Sequence, residues 1–596
     1  MKVFDALARE STYIRAIGRT LWAMRTVQPE SSHTIADIIA EFAERKPSNL
    51  AILFQDRTLT YRDLNDAANR VAHWAHQQGI GHGDVVALFM ENRPEYLASW
   101  LGLVKVGAVT ALINTNLRGH PLAHSIGIAG ARHAIVGSEL AEAYADASPL
   151  IEKKPLVWTT GARIPGTLDL DSALAAASPA EANKAWRGGL TLKDRAFYIY
   201  TSGTTGLPKA ANFSHMRMLF MMIGFAGALG AKENDRMYDV LPLYHSAGGI
   251  AALGPAFLHG GSLVIRKKFS VNEFWDDCFR YKPTLFQYIG ELCRYLLNAP
   301  TAAHERDHAI RAIIGNGLRP EIWTNFQERF AIPKIVEFYG ATEGNVAMLN
   351  YDGKVGAVGR IPDYMRKRIE TRLVRFDIER EMPVRGPDGF CIECAPGEVG
   401  EAIGRIIEEA GRNFEGYTEG SDTQKKILHD VFEKGDSWFR TGDLLKRDAL
   451  GYYYFIDRIG DTFRWKGENV ATSEVSEALG IAPGVKEANV YGVSVPGMDG
   501  RAGMAALVTG PGFDPASLAD ALSANLPAYA RPVFLRIQPG LEITGTFKQR
   551  KVELVKEGFD PRVIPLPLYW LDPASGRYEP LTMAIYDDIV SGKVKL

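Results

Sequence analysis

At 596 residues the chain is about four times the commonest single-domain length, which excludes a lone small binding module and calls for at least two cores. Hydrophobic residues at 46% and charged residues at 23% match a soluble globular protein and exclude a disordered or fibrous one. Lys and Arg number 68 against 70 Asp and Glu, a formal charge of −2, so no global field draws the whole chain to nucleic acid or to an acidic membrane.

Residues 1–30 fail as a signal peptide because Arg15, Arg19 and Arg25 interrupt the apolar run. Ile14, Ile17, Leu21 and Met24 stand at helical spacing beside Trp22, so the segment reads as an amphipathic helix. It either lies in a membrane interface or packs on the next domain. Residues 34–44 then read as a helix and 51–54 as a strand. Thr60 with Asp63 forms a capping box that opens a helix ending near Gly79. Strands follow at 85–90, 109–113 and 133–136, with a helix at 94–106 begun by Pro94. The alternation resumes after a loop at 178–193, with strands at 197–200, 263–266, 285–289 and 313–315. Strands separated by helices predict an α/β fold with largely parallel sheets. The longest apolar run, 218–231, is too short to span a bilayer, which needs roughly twenty residues, and reads as a buried helix.

Beyond residue 472 the elements shorten: a helix to Leu479, strands at 488–491 and 505–508, and a helix at 515–526. The expected organisation is an N-terminal amphipathic segment (1–30), a large domain (31–457) and a smaller α+β domain (461–596). The four cysteines, Cys278, Cys293, Cys391 and Cys394, suit a reducing compartment, so the cytoplasm is the default. Cys391 and Cys394 form a lone C-x-x-C with no second pair to complete a zinc site.

The chemistry begins directly after the strand at 197–200. Thr201, Ser202, Gly203, Thr204, Thr205, Gly206, Leu207, Pro208 and Lys209 crowd hydroxyls, glycines and a terminal lysine into nine positions. Such a loop can aim backbone N–H groups and hydroxyls at phosphate oxygens, with the lysine supplying charge. Its spacing is not that of a P-loop enzyme, because Gly203 and Gly206 are only three apart and Lys209 is followed by alanine.

This nonapeptide resembles the phosphate loop of the adenylate-forming superfamily. Further stretches match that family's signatures in order: "LTYRDL" around Thr60, "LPLYH" at 241–245, "YGATEG" at 339–344, "RTGD" at 440–443 and "TGTFK" ending at Lys548. "GNGLRP" at 315–320 and "DRIGDTFRWKGENV" at 457–470 are similar to the fatty acid transport protein or very-long-chain acyl-CoA synthetase branch. The resemblance implies a large adenylate-forming domain followed by a mobile C-terminal lid. It implies a ligase that uses ATP, Mg2+ and coenzyme A to convert a fatty acid first to an acyl adenylate and then to a thioester.

Roles follow motif by motif. Residues 201–209 would hold the β- and γ-phosphates. Thr201 and Glu343, which follows Thr342, would share the Mg2+. Tyr339, followed by Gly340, would stack on adenine, with Gly315, Asn316 and Gly317 against its other side. Asp443 would accept both ribose hydroxyls, and Arg458 would reach the same sugar. Lys548 would steady the reacting carboxylate and the α-phosphate; the family's usual glycine before it is Phe547 here, and Arg550 and Lys551 are nearby competitors. Gly460 or Asp461 would be the hinge on which the lid turns, and Gly467 would line the pantetheine channel. His245, Gly249 and Tyr288 would border the acyl pocket, with Gly249 leaving the entrance open where relatives carry a bulky gate.

The expected partners are a fatty acid, ATP and CoA, and no nucleic acid. A peripheral seat on the inner face of the cytoplasmic membrane and a homodimer are both compatible with the sequence. Three alternatives stay open at this stage: a ligase for another bulky apolar acid such as a steroid side-chain or bile acid, an acyl-AMP ligase serving a carrier protein, and a non-catalytic fatty acid uptake or binding protein.

Overall fold

Apolar strand runs separated by helices leave a sheet only one way to bury both faces, which is to cover each with helices. The computed structural model describes residues 2–202, 207–341, 344–378, 380–407, 414–418, 420–498, 500–542 and 549–596. The chain forms two compact units. One comprises residues 1–318, 322–360 and 406–427; the other comprises 319–321, 361–405 and 428–596.

In the first unit the described residues build two sheets. One runs in the order Leu168–Asp169, Leu156–Thr160, His133–Gly137, Val85–Phe89, Val109–Leu112, Arg195–Ser202 and Pro208–Ser214. All its pairs are parallel except the last, a hairpin. The other runs Ala347–Asn350, Ile335–Gly340, Ala312–Asn316, Leu285–Ile289, Arg236–Asp239, Ser262–Ile265, Leu50–Phe54 and Arg57–Thr60, parallel except at both edges. The capping box forms as expected: Asp63 N–H donates to the Thr60 hydroxyl oxygen at 3.2 Å, and Thr60 N–H donates to the Asp63 carboxylate at 2.9 Å. The strands Arg57–Thr60, Arg236–Asp239 and Ile335–Gly340 were not expected from the sequence.

The apolar run becomes the helix His215–Leu229, ended by Gly230 at φ +56°. The N-terminal helix, Lys2–Met24, packs against it, with Tyr13, Ala16 and Thr20 buried and the Arg19 guanidinium donating to the Gly227 carbonyl at 2.9 Å. The expected apolar face does not act as one surface. Ile17, Leu21 and Met24 are half-buried, whereas Ile14 joins Phe4, Leu7 and Trp22 on the exposed side. Among the described residues no helix is long and apolar enough to cross a membrane.

Among its described residues the second unit holds two separate hydrophobic cores. One gathers Val374, Cys391, Ile403, Val431 and Trp438 within antiparallel strands that include Thr371–Val374, Val399–Arg405 and Ser437–Arg447. The other starts at Phe463 and runs to Ile589, around a sheet ordered Val485–Val493, Ala502–Thr509, Phe534–Ile537, Leu568–Leu571 and Tyr578–Pro580. Residues 457–461, the expected boundary, lie inside this unit and fall between its two cores. The Cys394 thiol fills the space above Gly400, where a Cβ would come within 2.4 Å of the sulfur, and burial pushes that thiol up to about 12. Both halves of the C-x-x-C are thus packing groups with little thiolate at neutral pH.

A Cβ at Gly227 would lie 2.2 Å from the Thr20 hydroxyl and 3.3 Å from the Thr20 Cα. Gly227→Val should therefore loosen the N-terminal helix at a cost of about 1–3 kcal/mol and speed tryptic cleavage at Arg15, Arg19 and Arg25. Unchanged cleavage would show that this contact does not hold the helix.

Candidate functional site

The phosphate-loop candidate connects two antiparallel neighbours. Thr201 pairs with Lys209 and Ser202 with Pro208, so the loop leaves and re-enters the sheet at a single point. Gly203, Thr204, Thr205 and Gly206 lie outside the described residues. The Tyr200 hydroxyl donates to the Ser125 carbonyl at 2.6 Å and anchors the strand just before the loop.

A segment that the sequence did not single out runs alongside. Residues 415–418 pair with the strand Pro208–Ser214 through Asn212 N–H to the Gly416 carbonyl and Thr418 N–H to the Ala210 carbonyl, each at 3.0 Å. Glu415 accepts the Ser214 N–H at 2.7 Å, and the Lys209 ammonium stands 5.8 Å from the centre of the Tyr417 ring. That places a cation–π contact at the foot of the loop.

Gly315, Asn316 and Gly317 close the strand Ala312–Asn316, with Gly315 buried, Asn316 half-buried and Gly317 exposed at φ +79°. Tyr339 and Gly340 end the neighbouring strand, Ile335–Gly340, and Tyr339 is half-buried. Phe338 packs edge-on against Phe225, the ring centres 4.7 Å apart, which ties this strand end to the helix His215–Leu229. From the same helix Arg217 donates to the carbonyls of Ala341, at 3.3 Å, and Gly344. Thr342 and Glu343 lie outside the described residues.

The acyl-pocket candidates prove more enclosed than expected. Tyr288 is fully buried, and its hydroxyl donates to Glu337. His245 is half-buried, and its Nδ1 accepts the Ala247 N–H at 3.3 Å. Gly249 sits in a π-helical turn, Ala247–Ala251, a distortion that frequently marks functional sites. A Cβ there would lie 1.9 Å from the Leu243 carbonyl oxygen, so the two backbones touch at this glycine.

In the second unit the cross-strand pairing of Asp443 with Arg458 brings the two ribose candidates together, Arg458 Nε standing 4.0 Å from the Asp443 carboxylate. The "RTGD" segment, residues 440–443 inside the strand Ser437–Arg447, rests on Glu401, a buried carboxylate that the sequence reading missed. Arg440 Nε lies 3.1 Å from both Glu401 oxygens, Arg440 Nη2 lies 2.8 Å from Oε2, and the Gly442 N–H donates to Oε1 at 3.3 Å. An acidic residue inside the apolar strand Val399–Arg405 was its only signal.

Gly460 has open space where a Cβ would stand, and Asp461 accepts Lys551 Nζ at 3.1 Å. Lys551 also donates to the Thr472 hydroxyl at 2.9 Å. Gly467, at φ +82°, follows Lys466, at φ +53°, in the two-residue turn of the hairpin Phe463–Trp465 and Glu468–Val470. Lys548 lies outside the described residues. Among the described residues no cluster of three or more His, Cys, Asp or Glu forms a metal cage.

The family model for AMP-binding enzymes matches residues 39–401, and that for the AMP-binding enzyme C-terminal domain matches residues 474–548. Long-chain fatty acid transport protein 1 of Mus musculus is 45% identical over 94% of this chain and 88% of its own length. Long-chain fatty acid transport protein 2 of Rattus norvegicus is 44% identical, covering 94% and 92%. Among solved structures, ATP-bound MatB from Rhodopseudomonas palustris superposes with a TM-score of 0.73 at 25% identity, covering 87% of this chain and 98% of that one. The fatty acyl CoA synthetase of Mycobacterium tuberculosis gives a TM-score of 0.61 at 23% identity, with coverage of 88% and 98%, a likeness of fold.

Removing Glu401 strands the Arg440 guanidinium and the Gly442 N–H. Glu401→Ala should cost about 3 kcal/mol, the low end for a broken buried pair because Arg440 is partly exposed. Urea denaturation checks this; a loss below about 1 kcal/mol would mean that this stretch of the strand holds without its carboxylate.

Proposed function

Because this chain belongs to the long-chain fatty acid transport protein branch of the AMP-binding enzymes, we propose that it is an ATP-dependent ligase joining long-chain or very-long-chain fatty acids to coenzyme A. The observation that carries the proposal is the extent of the likeness. One relative stays 45% identical over 94% of the chain, so the likeness takes in both family-matched regions and not the phosphate loop alone.

The chemistry needs two steps. A carboxylate resists a thiol because it is negatively charged and would have to expel oxide. One of its oxygens therefore attacks the α-phosphorus of ATP, the bond to the β-phosphate oxygen breaks, and pyrophosphate leaves. The CoA sulfur then attacks the acyl carbon, the bond to the adenylate oxygen breaks, and AMP leaves with that electron pair as the thiol proton is lost. In-line positioning and stabilisation of developing phosphate charge do most of the work.

Residues 201–209 hold the β- and γ-phosphates in this reading. Lys209 supplies charge beside Tyr417, and the pairing of Thr201 with Lys209 favours this by closing the loop at its base. The Thr201 hydroxyl and the Glu343 carboxylate make a hard-oxygen donor set suited to Mg2+, which when bound would offset phosphate charge. Tyr339 and the stretch Gly315, Asn316 and Gly317 flank the base, and Asp443 with Arg458 takes the ribose.

Lys548 comes from the C-terminal core to neutralise the reacting oxygens. Engagement of Lys551 by Asp461 and Thr472 favours Lys548 over that neighbour. The swivel is at Gly460 and Asp461, between two cores, and Gly467 then lines the thiol's approach. His245 and Gly249 stand at the acyl end.

Purified protein given ATP and CoA should release AMP and form thioesters from long-chain and very-long-chain acids in preference to medium-chain acids and steroid carboxylates. A preference for the steroids would move the substrate to another bulky apolar acid. Acid retained without AMP release would make the protein a binder. Lys548→Ala should lower adenylation by roughly a hundredfold or more while leaving thioester formation from supplied acyl-AMP largely intact; equal loss of both would remove Lys548 from the first step.

The same reading gives the N-terminal helix a task, because such acids partition into membranes. Phe4, Leu7, Ile14 and Trp22 are exposed and, at 100° per residue, fall within an arc of about 80°. Arg15 flanks the stripe, and Arg25 lies 4.4 Å from the centre of the Trp22 ring. This stripe rests on an anionic lipid surface. Replacing all four apolar residues by serine should weaken binding to anionic phospholipid vesicles by roughly tenfold or more and leave turnover of a soluble medium-chain acid unchanged. Equal vesicle binding would retire the surface.

A further inference from the structure

Three parallel strands bring Tyr288, Gly315 and Glu337 into register, one residue on each strand. The middle position carries no side chain, and the Tyr288 ring takes its place. A Cβ on Gly315 would lie 2.5 Å from Tyr288 Cδ2 and 2.2 Å from the Tyr288 carbonyl oxygen. The phenol thereby crosses the middle strand and donates its hydroxyl to Glu337 Oε2. The other oxygen, Oε1, accepts the N–H groups of Gly317 and, at 3.2 Å, Leu318. Glu337 is 2% exposed and Tyr288 is 0% exposed. The loop is gripped from the far side as well: a Cβ on Gly290 would stand 1.7 Å from the Gly317 carbonyl oxygen, so the two backbones touch.

This carboxyl controls two things at once. Its oxygen holds the turn after Gly315, and its own backbone leads, two residues on, to Tyr339 on the same side of the strand. We infer that Glu337, braced by Tyr288, is a positioning residue for the nucleotide, setting the separation between the 315–318 turn and Tyr339 and so the slot that receives a planar purine. The inference rests on the reading of those two elements as the walls of the base site.

A carboxyl is a costly choice for a purely structural tie, since an amide would accept the same two N–H groups without a charge to bury. Burial pushes Glu337 up to about 8, against the pull of Tyr288 and of the Leu318 and Gly317 N–H groups. The titratable groups facing it are Tyr288, from the strand on the far side of Gly315, and Cys293 from the helix Gly290–Asn298, and burial drives both far above their ordinary ranges. Neither carries charge near neutral pH, so Glu337 titrates alone there. Because its folded value is raised, the stability from its neutral form is fully present below the ordinary glutamate range and is lost as pH rises through about 8.

The test compares ATP affinity with acid dependence in the full chain. Glu337→Ala orphans the buried Leu318 N–H and removes the acceptor of the Gly317 N–H, and should weaken ATP binding, read by calorimetry, by roughly ten- to a hundredfold, with little change in KM for the fatty acid. Glu337→Gln keeps the acceptor and should recover most of that loss. The wild-type urea midpoint should also fall relative to that of the Gln variant as pH is raised through about 8. Tyr288→Phe keeps the ring over Gly315 and should give a smaller loss of the same kind, which tests the brace if the alanine variant does not fold.

Wild-type protein that binds no ATP would sink the base-site reading itself. Wild-type binding with unaltered affinity in Glu337→Ala and Tyr288→Phe, or equal losses for ATP and acid, would overturn the positioning role alone.

Discussion

Parallel strands end on one edge, and the loops that leave that edge must find partners for their polar backbone groups there. This constraint organises the first unit. The strands Leu285–Ile289, Ala312–Asn316 and Ile335–Gly340 run side by side and all the same way, so the turn after Gly315 and the residues after Tyr339 emerge as neighbours. A buried carboxyl, Glu337, then serves the N–H groups of that turn, the Leu318 donor among them buried, and a tyrosine passes over a glycine to brace it. The position of each glycine follows from where another group already stands.

The second unit meets a different demand. An acid must be adenylated and then thiolated at one carbon, which requires two sets of groups to reach the same place in turn. The described chain supplies the mechanical ingredients. It has two independent cores in one unit, a segment between them that includes Gly460 with no neighbour at its Cβ position, and the proposed ribose residues, Asp443 and Arg458, that a strand pairing brings together just before that segment. The buried Glu401 and its partner Arg440 tie the strand segment before Asp443 to its neighbour, Val399–Arg405.

Local signals were legible in the sequence and distant ones were not. The Thr60–Asp63 capping box, the buried helix within the 218–231 run and the strand 285–289 each depend on residues within one turn or one strand, and each formed where expected. Gly315 was read as packing one side of a purine; what the sequence does not show is that the Tyr288 ring lies over its Cβ position, a contact between strands separated by a crossover. Gly249 lies against the Leu243 carbonyl inside a π-helical turn, which no periodicity announces. The N-terminal helix turns Tyr13, Ala16 and Thr20 inward and leaves Phe4, Leu7, Ile14 and Trp22 exposed, a division that the spacing of Ile14, Ile17, Leu21 and Met24 does not give. Residues 415–418 gave no pattern at all, because they act as an extra strand only once the strand Pro208–Ser214 is there to receive them.

The step on which the chemistry depends is the first, reversal of which returns pyrophosphate to ATP without any CoA. Isotope exchange isolates it: labelled pyrophosphate should enter ATP when a long-chain fatty acid is present and should not when the acid is omitted. Exchange absent for every acid tried, in protein shown to bind both ATP and the acid, would contradict acyl-adenylate formation outright.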